Sequence, residues 1–120
     1  MSCFDDLIAR LECPNTGQEK EEYLQLFIRK SCIDAKTYRI GSTVELDKQN
    51  TLWFSADYVC SQCSKKTKGK NGEYIRTEDQ SRHNCHINMQ QNRILEIITE
   101  QEFKQRKIQN CPDQDEYDFN

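Results

Sequence analysis

Phe4, Leu7, Ile8 and Leu11 recur at steps of three and four, the spacing that lines up on one face of a helix. Pro14-Asn15-Thr16-Gly17 punctuates the chain there. From Gln18 to Cys32 the pattern repeats, with Tyr23, Leu24, Phe27, Ile28 and Cys32 as the apolar stripe. Glu19, Glu21 and Glu22 open this segment and Arg29-Lys30 close it, the charge order that complements a helix dipole. The two segments predict an amino-terminal helical hairpin over residues 1–34, with Tyr23 and Phe27 in its core.

After Asp34 the period changes. Thr37-Tyr38-Arg39-Ile40, Thr43-Val44-Glu45-Leu46 and Thr51 to Cys60 are short, β-branched or aromatic, and partly alternating, with Gly41-Ser42 and Asp47 to Asn50 as turns. Such runs predict strands, and Glu73 to Thr77 predicts another. Trp53 is assigned to the core of this sheet, which spans residues 35–88. From Asn88 onward Ile94, Leu95, Ile97, Ile98, Phe103 and Ile108 return to helical spacing. They predict a carboxy-terminal helix within 89–110, with Ile94 and Ile98 facing a partner protein. Cys111-Pro112 stops it, and the acidic tail 111–120 is expected to be disordered. The expected fold class is therefore α+β: a small antiparallel sheet flanked by a helical hairpin and a helix.

Composition limits what this chain can bury. Of its 120 residues 35% are hydrophobic and 31% charged, and chains of this kind often complete their stability with a metal or disulfides. Seven cysteines is an odd number, and no apolar leader follows Met1, so reduced thiols in an intracellular compartment are expected. No apolar run approaches the length of a membrane helix.

The cysteines of Cys60-Ser-Gln-Cys63 have the two-residue spacer that lets both sulfurs reach one ion, and His83-Asn-Cys85-His86 follows after a spacer of nineteen residues. A structural zinc takes four such ligands in a tetrahedron. Cys60, Cys63, His83 and Cys85 make a Cys3His set, favoured because His83 and Cys85 share strand parity. His86 is the alternative fourth ligand. The polar loop after Cys63 argues against a thioredoxin-type dithiol, which opens a helix. Cys3, Cys13, Cys32 and Cys111 have no pair spacing and read as small hydrophobes.

Charge is uneven. The formal net charge is −3, yet between Cys60 and His86 the basic residues Lys65, Lys66, Lys68, Lys70, Arg76 and Arg82 face only Glu73, Glu78 and Asp79. These six cations are the candidate nucleic-acid contacts.

The run from Trp53 to Asn88, with strands leading into a cysteine pair and a closing His-x-Cys, resembles the zinc-bearing β-modules of the FLYWCH, WRKY and glial-cells-missing group, in particular the RYYR/CCHC-like variants. The resemblance implies zinc on Cys60, Cys63, His83 and Cys85, DNA or occasionally protein as partner, and a nuclear location. No phosphate-binding glycine loop, Ser-His-Asp arrangement or paired-acid motif points to an enzyme. The expected function is a non-enzymatic zinc-binding interaction subunit or adaptor, compatible with a place in a nucleic-acid-handling complex. The alternative is an autonomous DNA-binding finger.

Overall fold

The computed structural model describes residues 4–29, 34–61, 63, 66–68, 74–76 and 82–120, with backbone alone for 66–68 and 74–76. It is built from strands β1 (Asp5–Glu12), β2 (Glu19–Leu26), β3 (Thr37–Tyr38), β4 (Leu52–Val59), β5 (Lys66–Lys68), β6 (Tyr74–Arg76), β7 (Arg82–Gln90) and β8 (Arg93–Thr99). One short helix among the described residues, α1 (Glu100–Arg106), follows β8. The predicted helical hairpin is absent, and the α+β class gives way to a mostly β architecture.

One sheet has the order β2-β1-β3, a second β4-β7-β8, and β5-β6 form a separate two-stranded ribbon. In the register of β1 and β2, Leu7 faces Leu24 and Ala9 faces Glu22; in that of β4 and β7, Phe54 faces Ile87 and Ala56 faces Cys85. Directly opposed residues share a sheet face, so each sheet turns one set of alternating residues inward. Leu7, Ala9, Leu11, Leu24 and Leu26 of the first sheet and Phe54, Ala56, Cys85, Ile87, Met89 and Ile94 of the second belong to one buried cluster. The result is a two-layer sandwich.

Three features disguised it as helix. Ile8 is buried on the opposite side of β1 from Leu7, and Leu7-Ile8-Leu11 then mimics a helical face although Leu7, Ala9 and Leu11 carry the inner alternation. The stripe in β2 is likewise split: Leu24 and Leu26 are buried, while Tyr23 is 61% exposed and Phe27 45%, which corrects their assignment to a core. Between β7 and β8 the register slips after Asn88, which pairs with Glu96 while Met89 pairs with Ile94, so Leu95 is the extra residue of β8. That bulge gives Ile94 and Ile97 the same inward face at a spacing of three, the step a helix would show.

The β7–β8 hairpin turns on Gln91 and Asn92, both at positive φ (48° and 63°), as a type I′ loop requires. Asn92 is buried and accepts from the backbone and side-chain N–H groups of Asn50 at 2.9 Å, while its amide donates to the Lys48 carbonyl at 2.9 Å. Ile94 and Ile98, expected to meet a partner, are buried within this chain at 0% and 5% exposure. Trp53 is not the core aromatic; it lies on the outer parity of β4 against Phe103 of α1, ring centroids 6.4 Å apart, and Phe54 occupies the interior.

The tail, expected to be disordered, completes the sandwich. Ser55 donates to the Pro112 carbonyl at 2.9 Å and Gln114 N–H to the Ser55 carbonyl at 3.0 Å, so the tail runs along the free edge of β4. Gln114 also donates from its side chain to the Gln25 carbonyl of β2 and accepts from Phe27 N–H. Phe119 then inserts edge-on against Phe54 at 5.0 Å and is buried. Two edge strands from different sheets are covered by one segment, which satisfies backbone groups that open edges leave unpaired.

At the end of β1 remote from Cys13, Asp5 is buried and receives both Arg29 guanidinium contacts at 2.6 Å and Lys36 N–H at 2.9 Å. Burial alone would raise the Asp5 carboxyl; the hydrogen bonds from Arg29 and Lys36 and their charges outweigh it and hold the pKa below its ordinary 3.8.

Candidate metal centre

At the opposite end of β1 three chain segments converge. The β1–β2 hairpin brings Cys13: Gly17 N–H bonds the Cys13 carbonyl at 2.8 Å and Cys13 N–H the Gln18 carbonyl at 2.9 Å. Gly17 has φ 72°, a conformation glycine adopts without steric cost. The Pro-Asn-Thr-Gly run is thus a hairpin turn with a thiol at its base.

Cys60 and Cys63 arrive on the turn leaving β4, closed by Cys63 N–H to the Cys60 carbonyl at 3.2 Å. Glu22 of β2 fixes this turn, accepting from Ser61 N–H at 3.0 Å and from the Ser61 hydroxyl at 2.5 Å. His83 comes from the first residues of β7, opposite Tyr58.

The ligand atoms of Cys13, Cys60, Cys63 and His83 all lie within 4.8 Å of one another. Cys13 Sγ is 3.4 Å from Cys63 Sγ, and Cys63 Sγ is 3.5 Å from His83 Nε2. A zinc tetrahedron with its usual bond lengths has S···S edges of about 3.8 Å and S···N edges of about 3.6 Å. A disulfide would hold its sulfurs about 2.05 Å apart. The cluster therefore fits one tetrahedral metal ion, and these residues can hold it.

The surroundings favour thiolates. Asn15 Nδ2 donates to Cys63 Sγ at 3.3 Å, the outer hydrogen bond that orients a sulfur ligand. Burial pushes the Cys13 thiol up, but N–H groups of Asn15 and Thr16, the Thr16 hydroxyl and Cys63 together lower its pKa to about 6. Tyr58, edge-on to His83 at 5.9 Å, is held neutral, its pKa raised by burial and then by the neighbouring thiols and Glu22.

Three of the four residues expected as ligands, Cys60, Cys63 and His83, are brought together, and Cys13 stands where Cys85 was expected. His83 and Cys85 do share a face, opposite Tyr58 and Ala56. Two residues along a strand, however, is about 6.6 Å, and that step carries Cys85 from the open end into the packed interior. There it is fully buried beside the Ala56 carbonyl, and desolvation raises its thiol far above the ordinary range.

His86, the alternative ligand, has the other parity and lies on the outer face of its sheet beneath α1, stacked on Phe103 at 3.7 Å. The signal for Cys13 was its place directly before a tight turn ending in glycine, where turn N–H groups converge on the sulfur.

Of the candidate nucleic-acid contacts, Arg82 is exposed and pairs with Asp57 at 2.6 Å. Lys65 and Lys70 lie outside the described residues, as do the side chains of Lys66, Lys68 and Arg76, whose backbones form the β5-β6 ribbon. A groove of about 400 Å³ opens beside the cluster, lined by Glu12, Pro14, Tyr58, Arg82, His83 and Lys104 among others. No helix of the described residues is long and apolar enough to cross a membrane. Comparison with protein-family models, curated proteins and solved structures finds no significant match to this chain.

Proposed function

We propose that this chain is a zinc-binding protein whose metal staples the open end of a β-sandwich without taking part in chemistry, and that it acts as an interaction subunit of a larger assembly. The observation that carries the reading is the convergence of Cys13, Cys60, Cys63 and His83 at tetrahedral spacing. Four protein ligands leave no open position for water, the mark of a structural zinc and not a catalytic one. They also join segments far apart in the chain, so metal binding does the work of a crosslink between the two sheets. Exposed Tyr23 and Phe27, the latter against Phe4 at 6.0 Å, give the subunit an aromatic contact surface. The basic excess of the 65–82 sequence is of the kind that contacts phosphate.

Native mass spectrometry with metal analysis tests the centre. One zinc per chain is expected in the wild type and in Cys85→Ser, and none in Cys13→Ser or His83→Ala. Zinc retained by Cys13→Ser and lost from Cys85→Ser would overturn the ligand set. For the phosphate side, replacing Lys65, Lys66, Lys68 and Lys70 by Glu should flatten the salt dependence of any nucleic-acid binding; an unchanged slope removes that part of the reading.

A further inference from the structure

The outer face of the β4-β7-β8 sheet holds a second cluster, independent of the metal. His86 is buried, with Nδ1 3.2 Å from Cys111 Sγ and Nε2 2.5 Å from Glu100 Oε2. Phe103 lies parallel to its ring, 6° out of plane. The order is thiol, imidazole, carboxylate: a nucleophile within hydrogen-bond reach of a base whose far nitrogen is oriented by a third group. Glu100 selects the tautomer, because a carboxylate on Nε2 requires the proton there and leaves Nδ1 to accept from the thiol.

Each member is held from a different element. Glu100 begins α1, which Thr99 caps by accepting from Glu102 N–H. Cys111 is fixed by the neighbouring Pro112 and Asp113, bridged to Ser55 of β4. Cys111 also lines a cavity of about 460 Å³ with Leu52, Asn110, Pro112 and Tyr117. An enclosed structural thiol would have no such opening.

We propose that Cys111, His86 and Glu100 form a nucleophilic site that takes an acyl group from a small apolar ester. Leu52, Pro112 and Tyr117 suit a short hydrocarbon acyl chain, and Asn110 adds an amide for its carbonyl oxygen. The Cys111 proton passes to His86 Nδ1 as a sulfur lone pair forms the S–C bond at the carbonyl carbon. The ester C–O bond breaks, and the alcohol leaves with the bonding pair and the proton from His86. Water, giving a proton to His86, then adds to the thioester carbon; the S–C bond breaks, the acid departs and sulfur recovers the proton.

Glu100 and, less directly, Asp113 are the charges facing the cluster, with Lys104 Nζ 3.9 Å from Glu100 on its solvent side. Burial first, then Glu100 and Asp113, push the thiol by itself up to about 11. Transfer to His86 offsets this by placing an imidazolium between sulfur and Glu100.

The test uses the zinc-loaded full chain and p-nitrophenyl butyrate, following nitrophenolate release and mapping the butyryl group by peptide mass spectrometry after acid quench. The expected adduct is on Cys111, formed faster than on the same thiol in the denatured chain. Glu100→Gln, a conservative change at a partly exposed position, should slow acylation at least tenfold and alter its pH profile, with zinc content and circular dichroism unchanged. Acylation of Cys111 no faster than in the denatured chain, or an unchanged rate and pH profile in Glu100→Gln, would overturn the proposal. Cys111→Ser should abolish the adduct; if that variant fails to fold, the Glu100→Gln result decides alone.

Discussion

His83 and His86 stand three residues apart on one strand and belong to different worlds. His83 has the inward parity and sits at the open end of the sandwich, where three thiols meet it. His86 has the outward parity and sits under α1, between a lone thiol and a carboxylate. A strand sends successive side chains to opposite faces, so one dense sequence cluster, His-Asn-Cys-His, feeds two sites and leaves Cys85 between them as core. Four donors at one point can hold a metal ion; one sulfur, one imidazole and one acid in line make the proton path proposed above.

The largest expected effect separates the two ends. Structural zinc in small domains contributes on the order of 10 kcal/mol to folding, so a strong chelator, or Cys13→Ser, should unfold or grossly loosen the chain as seen by thermal melting. Cys85→Ser should keep the zinc and lose only a few kcal/mol, the usual cost of a poorly satisfied polar group in a core. Equal zinc affinity in the two serine variants would break the comparison.

The next effect strikes the outer region through the tail. Phe119→Ala removes a buried ring from against Phe54, a change that costs about 3–5 kcal/mol. Because the tail also positions Cys111, the expected outcome in hydrogen exchange is loss of protection along β4's free edge and the 111–120 segment, with the zinc retained. Zinc loss on this substitution would show that the two regions are one cooperative site.

How much of this was legible beforehand follows from the same geometry. The CxxC and the closing histidine are local patterns, so the sequence pointed to Cys60, Cys63 and His83 together. Cys13 is joined to them only by sheet stacking, and nothing in linear spacing brings residue 13 beside residue 63. The fold was hidden for a different reason. A bulge in β8 and a two-sided β1 both put apolar residues three apart, and the tertiary burial of Ile8 and Ile98 erased the alternation that marks a half-exposed strand. The tail's acidity outweighed Phe119, which docks the segment together with the Ser55 bridge and Gln114.

A titration with acid sharpens the contrast along β1. The Asp5 pKa is lowered in the fold, so its stabilisation is fully present above the unfolded value of 3.8. It is lost as pH falls through the lower folded pKa. Zinc ligands compete with protons at milder acidity, since thiolates and neutral imidazole must persist for binding. Metal release is therefore expected at higher pH than the Asp5-linked loss, in two steps resolved by a zinc dye and by circular dichroism. Asp5→Ala should remove the later step and, by stranding Arg29 in a buried position, cost about 3 kcal/mol.

The smallest effect addresses the outer region alone. Thr99 accepts from Glu102 N–H at 3.3 Å and has an extended backbone (φ −74°, ψ 163°), the geometry of a helix amino-terminal cap. Thr99→Ala should cost about 1 kcal/mol. The loss falls on a seven-residue helix too short to persist without its cap and its packing. Since α1 carries both Glu100 and Phe103, fraying it frees the His86 ring on both its acid side and its stacked side. In NMR the His86 resonances should broaden or shift while those of His83 in the zinc-loaded chain stay in place. Equal shifts at both histidines would mean that α1 steadies the strand as a whole and not the outer cluster it covers.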